Sequence, residues 1–257
     1  MKILRTVLFS IALVLTGFCA FAQTNPYPEE NEADVSFITI KYQGQKPVIN
    51  DFVNAWLSNP EDELSGLLYE MWRKYLKGKP LDKTETVTLD SKNGFVSFEK
   101  VYPPDEYNSE GGKLLVEMCY WNSSDGNHKI FATSVQQFQD GKAIQTEFGG
   151  VDFGIYNNTT HKMMFVNKDV MGIDVKTGME NIGVKVENGE YFINNSETGE
   201  RTPITEEQFY KWLIEYPIVT YDLPREGKDI TAVINNRPEG KKEVIVKWNG
   251  LRFDVQQ

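Results

Sequence analysis

The chain is short of the residues that most often advertise a function. Its 257 residues include two cysteines and two histidines. Two cysteines cannot staple a disulfide scaffold. His128 and His161 have no His or Cys partner at ligand spacing, so no metal is expected. Asn167-Lys168-Asp169 to Asp174 scatters oxygen ligands without the order of a calcium loop. Basic charge is also scarce, with 27 Lys and Arg against 37 Asp and Glu and a net charge of -10. Neutralising phosphates needs a basic face, so a nucleic-acid partner is excluded. There is no G-x-S-x-G, no P-loop and no G-x-G-x-x-G, and Gly111-Gly112 and Gly149-Gly150 read as turns. No cofactor is expected. The chain shows no regular alternation of strand and helix, which argues against Rossmann folds and TIM barrels.

Apolar length is confined to the N-terminus. Lys2 and Arg5 precede an almost continuous apolar run from Thr6 to Cys19, followed by Ala20-Phe21-Ala22 and Gln23. A short basic region, a short apolar region and a small-x-small site make a secretory signal over residues 1–22, which resembles type I bacterial signal peptides. The run falls short of the roughly 20 residues of a membrane span, and no later stretch reaches that length. Lipidation at Cys19 is the rival reading. Phe18 stands where a lipoprotein signal carries a small residue, which argues against it. The expected location is secreted or periplasmic, with no transmembrane segment after cleavage. Loss of residues 1–22 leaves Cys119 as the sole thiol and 25 basic against 37 acidic residues. Residues 23–34 are polar, acidic and proline-bearing, and read as a flexible leader with Tyr27 in it.

The mature chain alternates between two hydrophobic periods. Val35 to Tyr42 suits a first strand, with Ile38, Ile40 and Tyr42 on one face. Val48, Phe52, Val53, Trp56 and Leu57 have helical spacing. A second helix is expected after Asn59-Pro60, with Leu64, Leu67, Leu68, Met71, Trp72, Tyr75 and Leu76 as its stripe and Gly78 as its end. From Thr84 the period becomes 2. Asn93-Gly94, Asp125-Gly126, Asp140-Gly141, Asn188-Gly189 and Asn249-Gly250 mark hairpin turns. Lys113 to Asn122 is apolar on both faces, as a central covered strand is. A two-residue loop at 188–189 pairs Val186 with Tyr191 and Val184 with Ile193. The same logic at 249–250 pairs Trp248 with Leu251 and Val246 with Phe253. Thr205 to Gln208 forms a capping box that starts a third helix at Glu206 to Glu215.

These elements predict an α+β fold of antiparallel hairpin-rich sheets, with two helices near the N-terminus and one in the second half. A division into residues 35–150 and 151–257, near Phe148-Gly149-Gly150, is the organisation the pattern suggests. Cystatin-like and NTF2-like architectures are compatible by analogy, but no motif identifies a family.

Candidate sites are few. If 125–126 is the turn, His128 opposes Ser123 and Cys119 opposes Ala132. Four residues along a strand span about 13 Å, too far for a thiol–imidazole pair. Cys119 in an apolar strand reads as core. Glu117 stands in the same doubly apolar strand, where burial would raise its pKa. Trp121 lies beside a turn, and Tyr102 and Tyr107 flank a Pro-Pro loop where aromatics can stack on sugars or anchor partners. Glu117, Trp121, Tyr102 and Tyr107 are therefore the expected ligand-binding residues. No catalytic residue can be named. An exported, non-enzymatic binding or interaction module of the bacterial envelope is expected, with a small molecule, glycan or protein as partner. The competing readings are a glycan-directed hydrolase using two carboxylates and an envelope assembly protein with unpaired strand edges.

Overall fold

The computed structural model describes residues 27, 37–58, 63–104, 111–145, 149–177 and 182–256. The signal segment, most of the leader and Tyr107 lie outside the described residues. Three helices and fifteen strands are present among those described, and the fold is α+β with antiparallel sheets.

The scaffold is an eight-stranded antiparallel sheet. Its order runs β1 (Phe37–Thr39), β8 (Lys162–Val166), β7 (Gly150–Asn157), β5 (His128–Gln139), β4 (Gly112–Asn122), β3 (Phe95–Tyr102) and β2 (Glu85–Asp90). A short β6 (Lys142–Ile144) pairs with the end of β5. The strands β7 and β8, which follow residue 150, thus complete the same sheet as the strands before it.

The doubly apolar reading of 113–122 is correct, and it decides the layering. Val116 and Met118 of β4 belong to a core that includes Phe131, Tyr156 and Met163 and is capped by helices α1 (Ile49–Trp56) and α2 (Glu63–Leu76). Ile49, Phe52 and Val53 of α1 and Leu68, Met71 and Trp72 of α2 are the buried stripe. Each such side chain contributes about 1.5–3 kcal/mol on burial. Trp72 Nε1 donates to Asn54 Oδ1 at 2.7 Å, which ties the two helices together. Cys119 and Trp121 face the other way, into a core shared with a four-stranded sheet of β12 (Val219–Asp222), β13 (Ile230–Ile234), β14 (Lys242–Trp248) and β15 (Phe253–Val255). The molecule is therefore layered helix, sheet, sheet.

A third sheet, β11 (Arg201–Ile204), β10 (Glu190–Asn195) and β9 (Ile182–Glu187), stands beside this sandwich with helix α3 (Glu206–Glu215). The expected pairs Val186 with Tyr191 and Val184 with Ile193 are present. Thr205 caps α3 as expected: its Oγ1 accepts from the Gln208 amide at 3.2 Å, and its own amide donates to Gln208 Oε1 at 2.8 Å. α3 packs on β6, β9 and β10.

One register differs from expectation. Trp248 pairs with Phe253 and Val246 with Val255, a shift of two residues. Asn249 Oδ1 accepts the amides of both Leu251 and Arg252 at 3.0 Å, and the Asn249 amide donates to the Arg252 carbonyl. That side-chain turn widens the loop from two residues to four. A shift of two preserves which residues face the core, so Val246 and Phe253 remain buried. Tyr27 also departs from its reading as a loop aromatic. It is buried, its hydroxyl donates to the Leu251 carbonyl at 2.7 Å and lies 3.1 Å from Ser123 Oγ, and its ring meets His128 edge-on.

Candidate functional site

Between the sandwich and the β9–β11 sheet lies a cleft of about 940 Å³. That is at the upper end of the roughly 300–1,000 Å³ of small-molecule sites. Its floor is the end of β5, Ile144 and Gln145 at β6, and Gly149-Gly150 leading into β7. One wall is Ile182 to Lys185 of β9, with Asn194 and Ser196 from the end of β10. The other is the stretch Tyr216 to Tyr221, with Phe209 of α3 above it. Lys168, Val175 and Thr177 close the side. Tyr216 braces the two walls, since its hydroxyl donates to the Ile182 carbonyl at 2.8 Å.

The chemistry of this lining is lopsided. Lys168 and Lys185 are its only charged side chains among the described residues, and it contains neither Asp nor Glu. Neither lysine makes an ion pair within 4.0 Å among the described residues, although Lys168 lies within electrostatic reach of Asp152. Gln137, Gln145 and Asn194 present amides with no side-chain hydrogen bond among the described residues. Tyr221 is 2% exposed, and its hydroxyl is one of two buried side-chain atoms with no hydrogen-bond partner among the described residues. Burial, with smaller contributions from Asp174 and Asp169, pushes its pKa up to about 12, so it stays a neutral donor. Leaving a buried hydroxyl unpaired costs about 1–3 kcal/mol.

The strand that carries Tyr221 is held by a polar clasp. Ser134 Oγ donates to the Tyr221 carbonyl at 2.6 Å, and Gln136 Nε2 donates to the same carbonyl at 2.9 Å and to Asp222 Oδ1 at 3.0 Å. Next along the chain, the Leu223 amide donates to Glu117 Oε2 at 2.9 Å, and Arg225 Nε donates to Asp90 Oδ2 at 3.0 Å. Residues 221–225 thus run across β5, β4 and β2, fastened at each by a side chain of the large sheet. Burial pushes the Glu117 carboxyl up to about 7, aided by Asp222 and opposed by the Leu223 amide and Lys113.

The expected ligand-binding residues are not gathered in one place. Glu117 and Trp121 share the inter-sheet face of β4, four residues apart. Glu117 belongs to the clasp and does not line the cleft. Trp121 is buried against Trp248 and Phe253, and its indole N–H is committed to the Lys228 carbonyl at 2.9 Å. Tyr102 lies on the helix side of the sheet, where its exposed ring borders a separate 330 Å³ hollow with Leu64, Leu67 and Leu114. Tyr107 falls outside the described residues. Cys119 opposes Ala132 as expected, and complete burial drives its thiol pKa well above the ordinary range. His128 Nδ1 lies 2.6 Å from Asp125 Oδ2 at the tip of the same hairpin.

The cleft residues were invisible in the sequence because they come from segments that share no motif. In the sequence Tyr221 falls in no assigned element, and Lys168 stands only within the scattered oxygen ligands of 167–174. The chain matches no family model, no curated protein and no solved structure.

Proposed function

We propose that this chain is exported into the bacterial envelope and works there as a binding module, with its ligand held in the cleft between the sandwich and the β9–β11 sheet. One observation carries the reading: a roomy cleft lined in part by Tyr221, a residue whose buried hydroxyl has no hydrogen-bond partner among the described residues. Buried polar groups are normally paired, so an orphan on a lining residue points to a partner supplied from outside. The aromatic rings of Phe209 and Tyr216 and the open amides around them suit a ligand with mixed polar and apolar faces. Export rests on Lys2, Arg5, the apolar run and Ala20-Phe21-Ala22. Among the described residues no helix is long and apolar enough to cross a membrane. The hydrolase reading draws less support, since the lining offers no carboxylate.

Val184 supplies a direct test. It lines the cleft from β9 and is half-buried there. Val184→Trp should therefore crowd the cleft, and a melting temperature within a few degrees of the wild type shows that the fold is kept. In a thermal-shift screen against soluble glycans and metabolites, hits on the wild type should vanish in Val184→Trp. Hits that survive the block, or a library with no hits, would overturn the reading. Mass spectrometry of the exported protein should find Gln23 as its first residue.

A further inference from the structure

The lining of the cleft says more than that something binds. Its charged groups are two ammonium donors with no carboxylate facing them from the lining, and the Tyr221 hydroxyl and three two-sided amides stand beside them. Lys168 Nζ stands 6.0 Å from the centroid of the Tyr221 ring, which puts the ammonium beside the residue whose hydroxyl has no partner among the described residues. A charged donor next to a residue with an unmatched neutral donor suits one acidic group. The nearby carboxylates do not fill that place. Asp174 is paired with Lys176 at 2.6 Å, and neither Asp169, Asp174 nor Asp152 lines the cleft. Away from this end the lining turns apolar, with Ile182 and Val184 of β9 opposite Ile218 and Val219 and Phe209 above them.

We propose that the ligand is a small organic anion, its acidic group between Lys168 Nζ and the Tyr221 hydroxyl and its apolar or ring-faced body along Ile182, Val184 and Phe209. The inference rests on the cleft being the binding site. Complementarity of charge argues for it: the protein is acidic as a whole, at -10, yet this lining carries only positive charge. An acidic molecule exerts little general attraction on anions, so a lysine in the cleft selects the anion at one place. Two sources have the required chemistry, a sugar acid and a long-chain carboxylic acid.

Isothermal titration of the mature protein distinguishes them, using tri-galacturonate and dodecanoate as probes with maltotriose and dodecanol as their neutral counterparts. One acid should bind at least about tenfold more tightly than its neutral counterpart, and its identity names the source. Lys168→Met should weaken that acid by about tenfold or more, and Lys168→Arg should restore most of the loss. Tyr221→Phe should weaken it several-fold while the melting temperature of the free protein stays level or rises, because the variant discards an unpaired buried hydroxyl. A merely structural role for Tyr221 would not separate those two readouts. If acid and neutral probes bind alike and Val184→Trp abolishes both, the anion proposal is overturned and the cleft reading stands. Binding that persists in Val184→Trp, or no binding of any of the four probes, overturns both.

Discussion

Glu117 shows what one side chain does at the join between two sheets. Its carboxylate fastens the chain at Leu223, yet burial holds its pKa at about 7 rather than the ordinary 4.5. The folded state therefore prefers the protonated acid. Stability from this group is complete below pH 4.5 and is lost as the pH climbs through 7. The loss amounts to about 1–3 kcal/mol, allowing for partial access of water. Glu117→Gln keeps an oxygen for the Leu223 amide and cannot ionise. Its melting temperature should match the wild type near pH 4.5 and exceed it by a few degrees at pH 8. Parallel curves for the two proteins across that range would refute the assignment.

At the scale of elements, parity proved more robust than register. The hairpin at 249–252 keeps Val246 and Phe253 inside although the loop is two residues longer than its Asn-Gly pair suggests. Alternation of apolar residues tells which face is inward, but it is blind to shifts of two. The Asn249 side chain, which captures two amides at once, selects between them. Helix α3 was easier to read because its start is written locally, in Thr205 and Gln208. That cap also has a consequence for the cleft, since α3 carries Phe209. Thr205→Ala should cost about 1 kcal/mol and Thr205→Ser much less. Hydrogen exchange should speed up at the amides of the first turn of α3 in Thr205→Ala and leave β4 and β5 unchanged. Equal acceleration in β4 would mean that the cap supports the whole molecule.

For the molecule as a whole, β4 and β5 belong to two cores at once, one under the helices and one under the second sheet. Neither core can be lost without exposing the other face of the same strands. Unfolding of the sandwich should be cooperative, with far-UV circular dichroism and tryptophan fluorescence reporting one midpoint; Trp72 samples the helix side and Trp121 the sheet side. Two separated midpoints would contradict this. The same architecture explains what the sequence revealed. Helices, most hairpins and the doubly covered strand depend on spacing within about 20 residues, which a linear reading captures. The cleft depends on residues from Val135 to Tyr221 brought together by β-pairings and by the clasp. Glu117 stands out in the sequence as a carboxyl within an apolar strand, but its partner at Leu223 lies 106 positions away in the chain.

The unpaired hydroxyl of Tyr221 has a consequence in the genome. A tyrosine codon becomes a phenylalanine codon by a single base change, and the product here would shed an unsatisfied buried group at no loss of packing. Stability alone would favour that change. Natural variants of this gene are therefore a record of whether the hydroxyl is used: retention of tyrosine at 221 amid otherwise free variation would measure selection for the bound ligand, and drift to phenylalanine would measure its absence.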